Sequence, residues 1–79
     1  MTMLNQLKSG DIARIVAFES GSELKKKFVS KGILEGSIIR IISYFGLITF
    51  ACNAKLFSVS KIIAENVIVI KIQGLNKKK

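Results

Sequence analysis

The stretch that decides the fold reads LKKKFVSKGILEGSIIRII over residues 24–42. It predicts a short basic helix over residues 21–31, a helix stop at Gly32 and a β-branched strand over residues 37–43. Gly32 is free to adopt the left-handed conformation that ends a helix, and Ile33 can then fold back on the last turn. A helix that leads this directly into a strand is typical of a structural element and carries no catalytic group.

The predicted helix carries two further signals. Ser20 and Glu23 stand three residues apart, which is the spacing of a capping box at a helix start. Leu24 and Phe28 are four residues apart and therefore share one face of the helix. We expect this apolar face to plug the core.

The rest of the chain alternates short apolar runs with turn residues, which predicts strands. Asn53-Ala54 indicates a tight hairpin turn because asparagine tolerates positive φ, and Ser60 is placed to cap a single helical turn over residues 61–65. Five short strands and one inserted helix predict a mainly β fold, a small barrel. The predicted strands cover residues 11–18, 37–43, 47–52, 56–59 and 67–72.

The early spacing Leu4-x-x-Leu7-x-x-Gly10 has two interpretations. It matches the periodicity of a helix, but its position directly before a strand favours an irregular lid. We predict the lid, with its leucines plugging one end of the barrel.

Length and charge limit the organisation and the partners. The 79 residues suit one domain, which we place at residues 1–76, followed by a basic tail over residues 77–79. Thirteen basic residues against five acidic ones give a net charge of +8. This balance favours anionic partners, namely nucleic acid, an acidic protein surface or the anionic cytoplasmic leaflet of a membrane.

The residue types argue against catalysis. The chain has no histidine, and Cys52 is its single cysteine, so it lacks a zinc ligand set, a cysteine–histidine nucleophile and an internal disulfide. Its five carboxylates are scattered. No run reaches the roughly 20 apolar residues that span a bilayer, and the N-terminus lacks the pattern of a signal peptide. We predict a cytoplasmic non-enzyme with no cofactor and no metal site.

Strand alternation indicates a binding surface. In the strand that follows the helix, Ile39 and Ile41 are expected to point inward. Ile38, Arg40 and Ile42 then share the outer face. Isoleucines on that face are either covered by the helix or form an interaction site, and both alternatives stay open. The predicted partner-binding residues are Lys27, Lys31, Ile38, Arg40, Ile42 and Tyr44.

Taken in order, these elements resemble the FeoA family, the small ferrous iron transport protein A. The resemblance covers about residues 4–72. It implies an SH3-like β-barrel with a helix inserted between the first and second long strands. It also implies a cytoplasmic accessory role beside FeoB, the membrane GTPase that imports ferrous iron. The residues that carry it are Leu4-x-x-Leu7-x-x-Gly10, Lys31-Gly32-Ile33-Leu34-Glu35-Gly36-Ser37 and Ala64-Glu65-Asn66-Val67-Ile68-Val69.

The resulting hypothesis is a non-catalytic accessory and regulatory protein of ferrous iron uptake that binds the cytosolic part of FeoB. Helix lysines would steer it to an acidic partner or to the anionic leaflet, and outer-face apolar residues with Tyr44 or Phe45 would supply affinity. The alternative is a small basic barrel that binds nucleic acid, because residues 8–16 resemble a KOW-type opening. Aromatics placed in apolar runs argue against that alternative. The sequence leaves open whether the protein forms a homo-oligomer.

Overall fold

The computed structural model describes residues 2–19 and 21–73. A 3₁₀ turn (Leu4–Gln6) follows the first strand, helix α1 (Ser22–Ser30) connects β2 to β3, and the short helix α2 (Lys61–Ala64) connects β5 to β6. The strands in this part of the chain are β1 (Thr2–Met3), β2 (Ile12–Phe18), β3 (Ile38–Phe45), β4 (Leu47–Cys52), β5 (Lys55–Ser60) and β6 (Val67–Gln73).

These strands form one antiparallel sheet in the order β1-β6-β2-β3-β4-β5. This confirms the predicted mainly β fold with a helix inserted between the first two long strands. The sixth strand is β1, which lies outside the five predicted ones and pairs Thr2 with Val69 and Met3 with Ile68. Within the described residues no pairing joins β1 to β5, so the barrel is open.

The strand β3 extends to Phe45, whereas the sequence predicts its end at residue 43. A bulge at Ile42 shifts its register against β4 without ending the strand. Gly46, at φ +70°, then makes the turn between the paired residues Phe45 and Leu47. The other predicted boundaries agree with the structure to within one residue.

The end of α1 has the backbone arrangement predicted from Gly32, which lies at φ +85°. Its amide donates to the carbonyl of Val29 at 2.9 Å, and the amide of Ile33 donates to the carbonyl of Phe28 at 2.9 Å. These two bonds form a Schellman motif, which satisfies carbonyl groups that the last helical turn leaves free.

The start of α1 differs from the predicted capping box by one residue. The helix begins at Ser22 with Gly21 as its N-cap residue, and among the described residues no side chain caps it. Ser20, the predicted hydroxyl of the box, lies outside the described residues. Glu23 stands in the first turn, where its negative charge suits the positive end of the helix dipole.

The core fills the space between the inner face of the sheet, α1 and the N-terminal lid. Leu24 and Phe28 are buried as expected, and Phe28 packs against Phe18 with ring centroids 5.1 Å apart. Leu4 and Leu7 are buried too, which confirms that the lid leucines plug the barrel. Leu4 lies in the 3₁₀ turn, so the lid is more regular than predicted.

Two local features that the sequence predicts are also present in the structure. Asn53 and Ala54 connect β4 to β5 with φ values of 55° and 66°. Positive φ at both central residues is the conformation of a type I′ turn. The hydroxyl of Ser60 accepts a hydrogen bond from the amide of Ile63 at 3.2 Å and so caps α2.

Candidate partner-binding surface

The outer face of β2, β3 and β6 places arginines between isoleucines. Arg14 of β2 lies opposite Ile38 of β3 and Ile70 of β6. One row further along, Ile12 of β2 lies opposite Arg40 of β3. Side chains opposite each other in antiparallel strands have Cβ atoms about 4.5–5.5 Å apart. The register therefore gathers these side chains into two adjacent rows.

Most of this surface is open to solvent. Ile38 is 45% exposed, Ile42 is 41% exposed and Ile70 is 60% exposed, and both arginines are exposed. The inserted helix therefore leaves these residues uncovered, and their use as an interaction site stays a prediction. We call this surface the basic isoleucine face, and it consists of Ile12, Arg14, Ile38, Arg40, Ile42 and Ile70.

Alternation along the strands produces the face. Ala13 and Ile15 of β2 are completely buried, and Ile39 and Ile41 of β3 are 1% exposed. Because successive side chains of a strand point to opposite sides, the residues between them must point outward. A slip of one residue would expose this buried set, so core packing also fixes the orientation of the arginines.

Neither arginine of the face has an acidic partner among the described residues. Arg14 and Arg40 occupy diagonal positions on neighbouring strands, where long side chains come within reach of each other. Guanidinium groups flanked by apolar side chains favour carboxylates or phosphates, which arginine can bind through two parallel hydrogen bonds. The ion pairs of the described residues lie elsewhere and are Lys25–Glu35 at 3.7 Å and Lys71–Asp11 at 3.5 Å.

Tyr44, one of the predicted partner-binding residues, lies away from this face. Its hydroxyl donates to the carbonyl of Asn5 at 3.2 Å, and its ring packs against the core. The bulge at Ile42 reverses the alternation of β3, so Tyr44 turns inward and Phe45 turns outward. The predicted residues that the structure does bring together are Ile38, Arg40 and Ile42.

Lys27 and Lys31 are exposed at the end of α1. Lys31 borders a crevice of about 20 Å³ between α1 and β5, which Phe28 and Phe57 also line. The role of both lysines in partner binding stays a prediction.

The sequence-based set of partner residues lacks three members of the face, namely Ile12, Arg14 and Ile70. Alternation within β2 already places Arg14 on an outer surface. It does not reveal which strands lie beside β2, because strand neighbours depend on contacts between distant parts of the chain. The signal for the individual residue was present in the sequence, whereas the signal for the cluster was not.

The aromatic side chains serve mainly the core. Phe45 is 90% exposed, and the other five aromatic residues are buried or pack against the core. Proteins that bind single-stranded nucleic acid use exposed rings on which successive bases stack. A single exposed ring does not make such a platform. The five core aromatics are Phe18, Phe28, Tyr44, Phe50 and Phe57.

In the described ranges 2–19 and 21–73, no three acidic or thiol side chains lie close enough together to hold a metal ion. No helix there combines the length and the apolar character needed to cross a membrane. Cys52 is 2% exposed and packs as a small apolar side chain.

Comparison with known families identifies the chain. A family model described as the FeoA domain matches residues 2–71. The chain belongs to the FeoA family. This membership assigns an accessory role in ferrous iron transport to the protein. A comparison of this FeoA chain with curated protein sequences finds no match.

Solved structures share the fold of this FeoA domain. The crystal structure of an iron uptake regulatory protein (FeoA) is 27% identical with a TM-score of 0.83, and the match covers 90% of this chain and 96% of that chain. FeoA from Chlorobium tepidum is 20% identical with a TM-score of 0.83, over 91% of this chain and 71% of that chain. A manganese-dependent transcriptional repressor is 19% identical with a TM-score of 0.81, over 89% of this chain and 40% of the repressor. The last two likenesses concern the fold alone.

Proposed function

We propose that this FeoA protein is a non-catalytic accessory and regulatory protein of ferrous iron uptake. It acts in the cytoplasm by binding the cytosolic part of the FeoB membrane GTPase. The observation that supports the proposal is the basic isoleucine face, where Arg14 and Arg40 lie between exposed isoleucines without an acidic partner among the described residues.

The composition of the face suits a protein partner. Burial of apolar surface contributes about 25 cal/mol per Å², so isoleucines that lose contact with water would supply affinity. Arginine is enriched at protein interfaces, and complementary charge raises the association rate and the specificity. We expect carboxylates of the partner to face Arg14 and Arg40, and apolar side chains to face Ile38 and Ile70.

The buried carboxylate of Asp11 has a structural role, which fits a non-catalytic protein that acts by contact. Asp11 is 5% exposed. Its Oδ2 accepts a hydrogen bond from the amide of Lys8 at 2.8 Å, and its Oδ1 lies 3.5 Å from Nζ of Lys71. Both oxygens therefore hold the turn before β2 and the end of β6 in place. The one buried charged group among the described residues serves the fold.

The test measures the affinity of the purified protein for the cytosolic part of FeoB from the same source. Isothermal titration calorimetry at low and at physiological salt gives the dissociation constant. Arg14→Glu and Arg40→Glu should each weaken binding about tenfold or more, since a reversed charge repels the partner carboxylate. Lys55→Glu makes the same charge change on exposed β5 and is the matched control.

Two outcomes would contradict the proposal. Failure of the wild-type protein to bind at low salt would remove the partner. An equal loss of affinity in Lys55→Glu and in the two arginine variants would show a general effect of net charge and would move the contact away from the face.

A further inference from the structure

The strand β5 forms one edge of the sheet. All six of its residues (Lys55–Ser60) pair with β4, and within residues 2–19 and 21–73 no strand lies on its other side. Its register against β4 contains no bulge. Natural proteins protect edge strands with bulges, proline or charged residues, which keep other strands from pairing there. The only charged residue of β5 is Lys55, at its first position, so the middle of this edge lacks such protection.

The turn before β5 determines which backbone groups face the open edge. A type I′ turn closes with a hydrogen bond between the two residues that flank it, which are Cys52 and Lys55. Bonded and non-bonded pairs alternate along an antiparallel ladder. Phe57 therefore bonds to β4, whereas the N–H and C=O groups of Leu56 and Ser58 point away from it. Among the described residues, no other backbone group bonds to them.

We propose that the open edge of β5 pairs with the same edge of a second copy of this chain. The two strands run antiparallel about a twofold axis that passes between the two Phe57 residues. The amide of Leu56 then donates to the carbonyl of Ser58 of the second copy, and that residue's amide donates to the carbonyl of Leu56. The axis repeats both bonds, so all outward-facing groups of these residues are paired. The uncharged middle of the edge does not favour an acidic or a basic strand over this self-pairing.

The side chains of the edge suit this register. Leu56, which is 67% exposed in the single chain, lies opposite Ser58 of the second copy on the outer side of the joined sheet. The two Phe57 rings lie opposite each other on the inner side, and such aromatic pairs stabilise paired strands. An axis through Ser58 would instead bring Lys55 level with Lys61 of the second copy, and like charges directly opposite each other are destabilising.

Charge and size make the dimer weak. The two Lys55 residues lie about 14 Å apart in this register, beyond the Debye length of about 8 Å at physiological ionic strength. Lys31, however, borders the crevice beside Ser58 and Val59, and each copy carries a net charge of +8. One strand from each copy also buries less than the roughly 1,200 Å² of a standard interface. We expect a dissociation constant of about 0.1–1 mM that decreases as salt increases.

Sedimentation velocity of the full chain gives the first test. The sedimentation coefficient should rise with protein concentration up to about 1 mM, and more so at high salt. Ser58→Pro removes the outward N–H and leaves the pairing with β4 intact, so it should raise the dissociation constant at least about tenfold. Ser58→Ala is the matched control. It loses the same hydroxyl contact with Thr49, at 2.9 Å, but keeps the N–H and should dimerise like the wild type.

A pair of lysine variants gives the second test and does not depend on the folding of Ser58→Pro. Thr49 lies opposite Ser58 on β4, so Ser58→Lys and Thr49→Lys add the same charge and break the same hydroxyl contact. In the dimer the two copies of position 58 are about 8 Å apart, and those of position 49 about 16 Å apart. Ser58→Lys should therefore raise the dissociation constant about tenfold more than Thr49→Lys.

Amide hydrogen exchange measured by NMR locates the contact. The amides of Leu56 and Ser58 should exchange more slowly at high protein concentration than at low concentration. The amide of Phe57, which bonds to β4, should be protected at both concentrations. If the dimer forms and the exchange of Leu56 and Ser58 does not change, the contact lies elsewhere and the proposal is wrong.

Other results would also overturn the proposal. One is a wild-type protein that stays monomeric at about 1 mM in high salt, and another is equal dimerisation of Ser58→Pro and Ser58→Ala. A dimer that weakens as salt increases would indicate an attraction between charges at another surface. If the wild type is monomeric and Ser58→Pro alone loses binding to the cytosolic part of FeoB, the edge takes a strand of that partner. Dimerisation itself involves other residues than the basic isoleucine face and holds or fails independently of FeoB binding.

Discussion

The amide of Ile33 donates a hydrogen bond to the carbonyl of Phe28 at 2.9 Å, and this bond sets the path of the chain from α1 toward β3. Phe28 and Ile33 are both buried, so the helix end is attached to the core on both sides of the bond. The path requires positive φ at Gly32, where an L-residue with a Cβ atom is disfavoured.

Gly32→Ala should lower the free energy of unfolding by about 1 kcal/mol. A Cβ at this position meets no atom within 4 Å, so the loss comes from the backbone conformation and not from a clash. Urea denaturation of the two proteins measures it. Gly32→Asn should lose less, because asparagine tolerates positive φ. Equal stability of wild type and Gly32→Ala would contradict the role given to this glycine.

Ala54→Gly should raise the free energy of unfolding by about 1 kcal/mol. Ala54 lies at φ 66° in the turn between β4 and β5, and Asn-Gly is the preferred pair for a type I′ turn. Thermal and urea unfolding check the gain. Ala51→Gly within β4 is the control and should be destabilising by about 0.5–1 kcal/mol. A lower free energy of unfolding for Ala54→Gly would contradict this prediction. It would show that the methyl group of Ala54 stabilises the protein more than its positive φ destabilises it.

Phe50→Ala should lower the free energy of unfolding by about 3–5 kcal/mol. Phe50 is completely buried, whereas Phe45 is 90% exposed, so Phe45→Ala serves as a control of the same chemistry and should change the free energy by less than about 0.5 kcal/mol. Guanidinium chloride unfolding separates the two. Similar losses in both variants would contradict the division into core and exposed rings.

Asp11→Ala should lower the free energy of unfolding by about 1–3 kcal/mol, since it leaves the partly buried amide of Lys8 without its acceptor. Lys71→Ala should cost less than about 1 kcal/mol, because the lysine side chain is 50% exposed. Urea denaturation of the single and double variants gives the coupling energy of the pair. A larger loss in Lys71→Ala than in Asp11→Ala would reverse this order.

Local signals in the sequence predicted most of the fold. The helix stop at Gly32, the hairpin turn at Asn53-Ala54 and the cap at Ser60 each depend on contacts within a few residues, and each is present. β1 could not be predicted in this way. Its two residues become a strand only because β6 lies beside them.

The candidate surface also combines features that nearby residues predict with features that depend on distant strands. Alternation predicted that Ile38, Arg40 and Ile42 lie together on the outer side of β3. All three side chains are exposed in the structure. The bulge at Ile42 has no marker in the sequence, and it moved Tyr44 to the inner side. The addition of Arg14 and Ile70 required the register between strands that are far apart along the chain.

The pairing of Thr2 with Val69 has a consequence for the order of folding. β6 lies between β1 and β2 in the sheet, although it is the last strand of the described chain. On a ribosome, the N-terminal strands must wait for β6 to leave the exit tunnel before they gain that neighbour. The hairpins formed by β3, β4 and β5 need no such delay, because contacts between nearby residues form first.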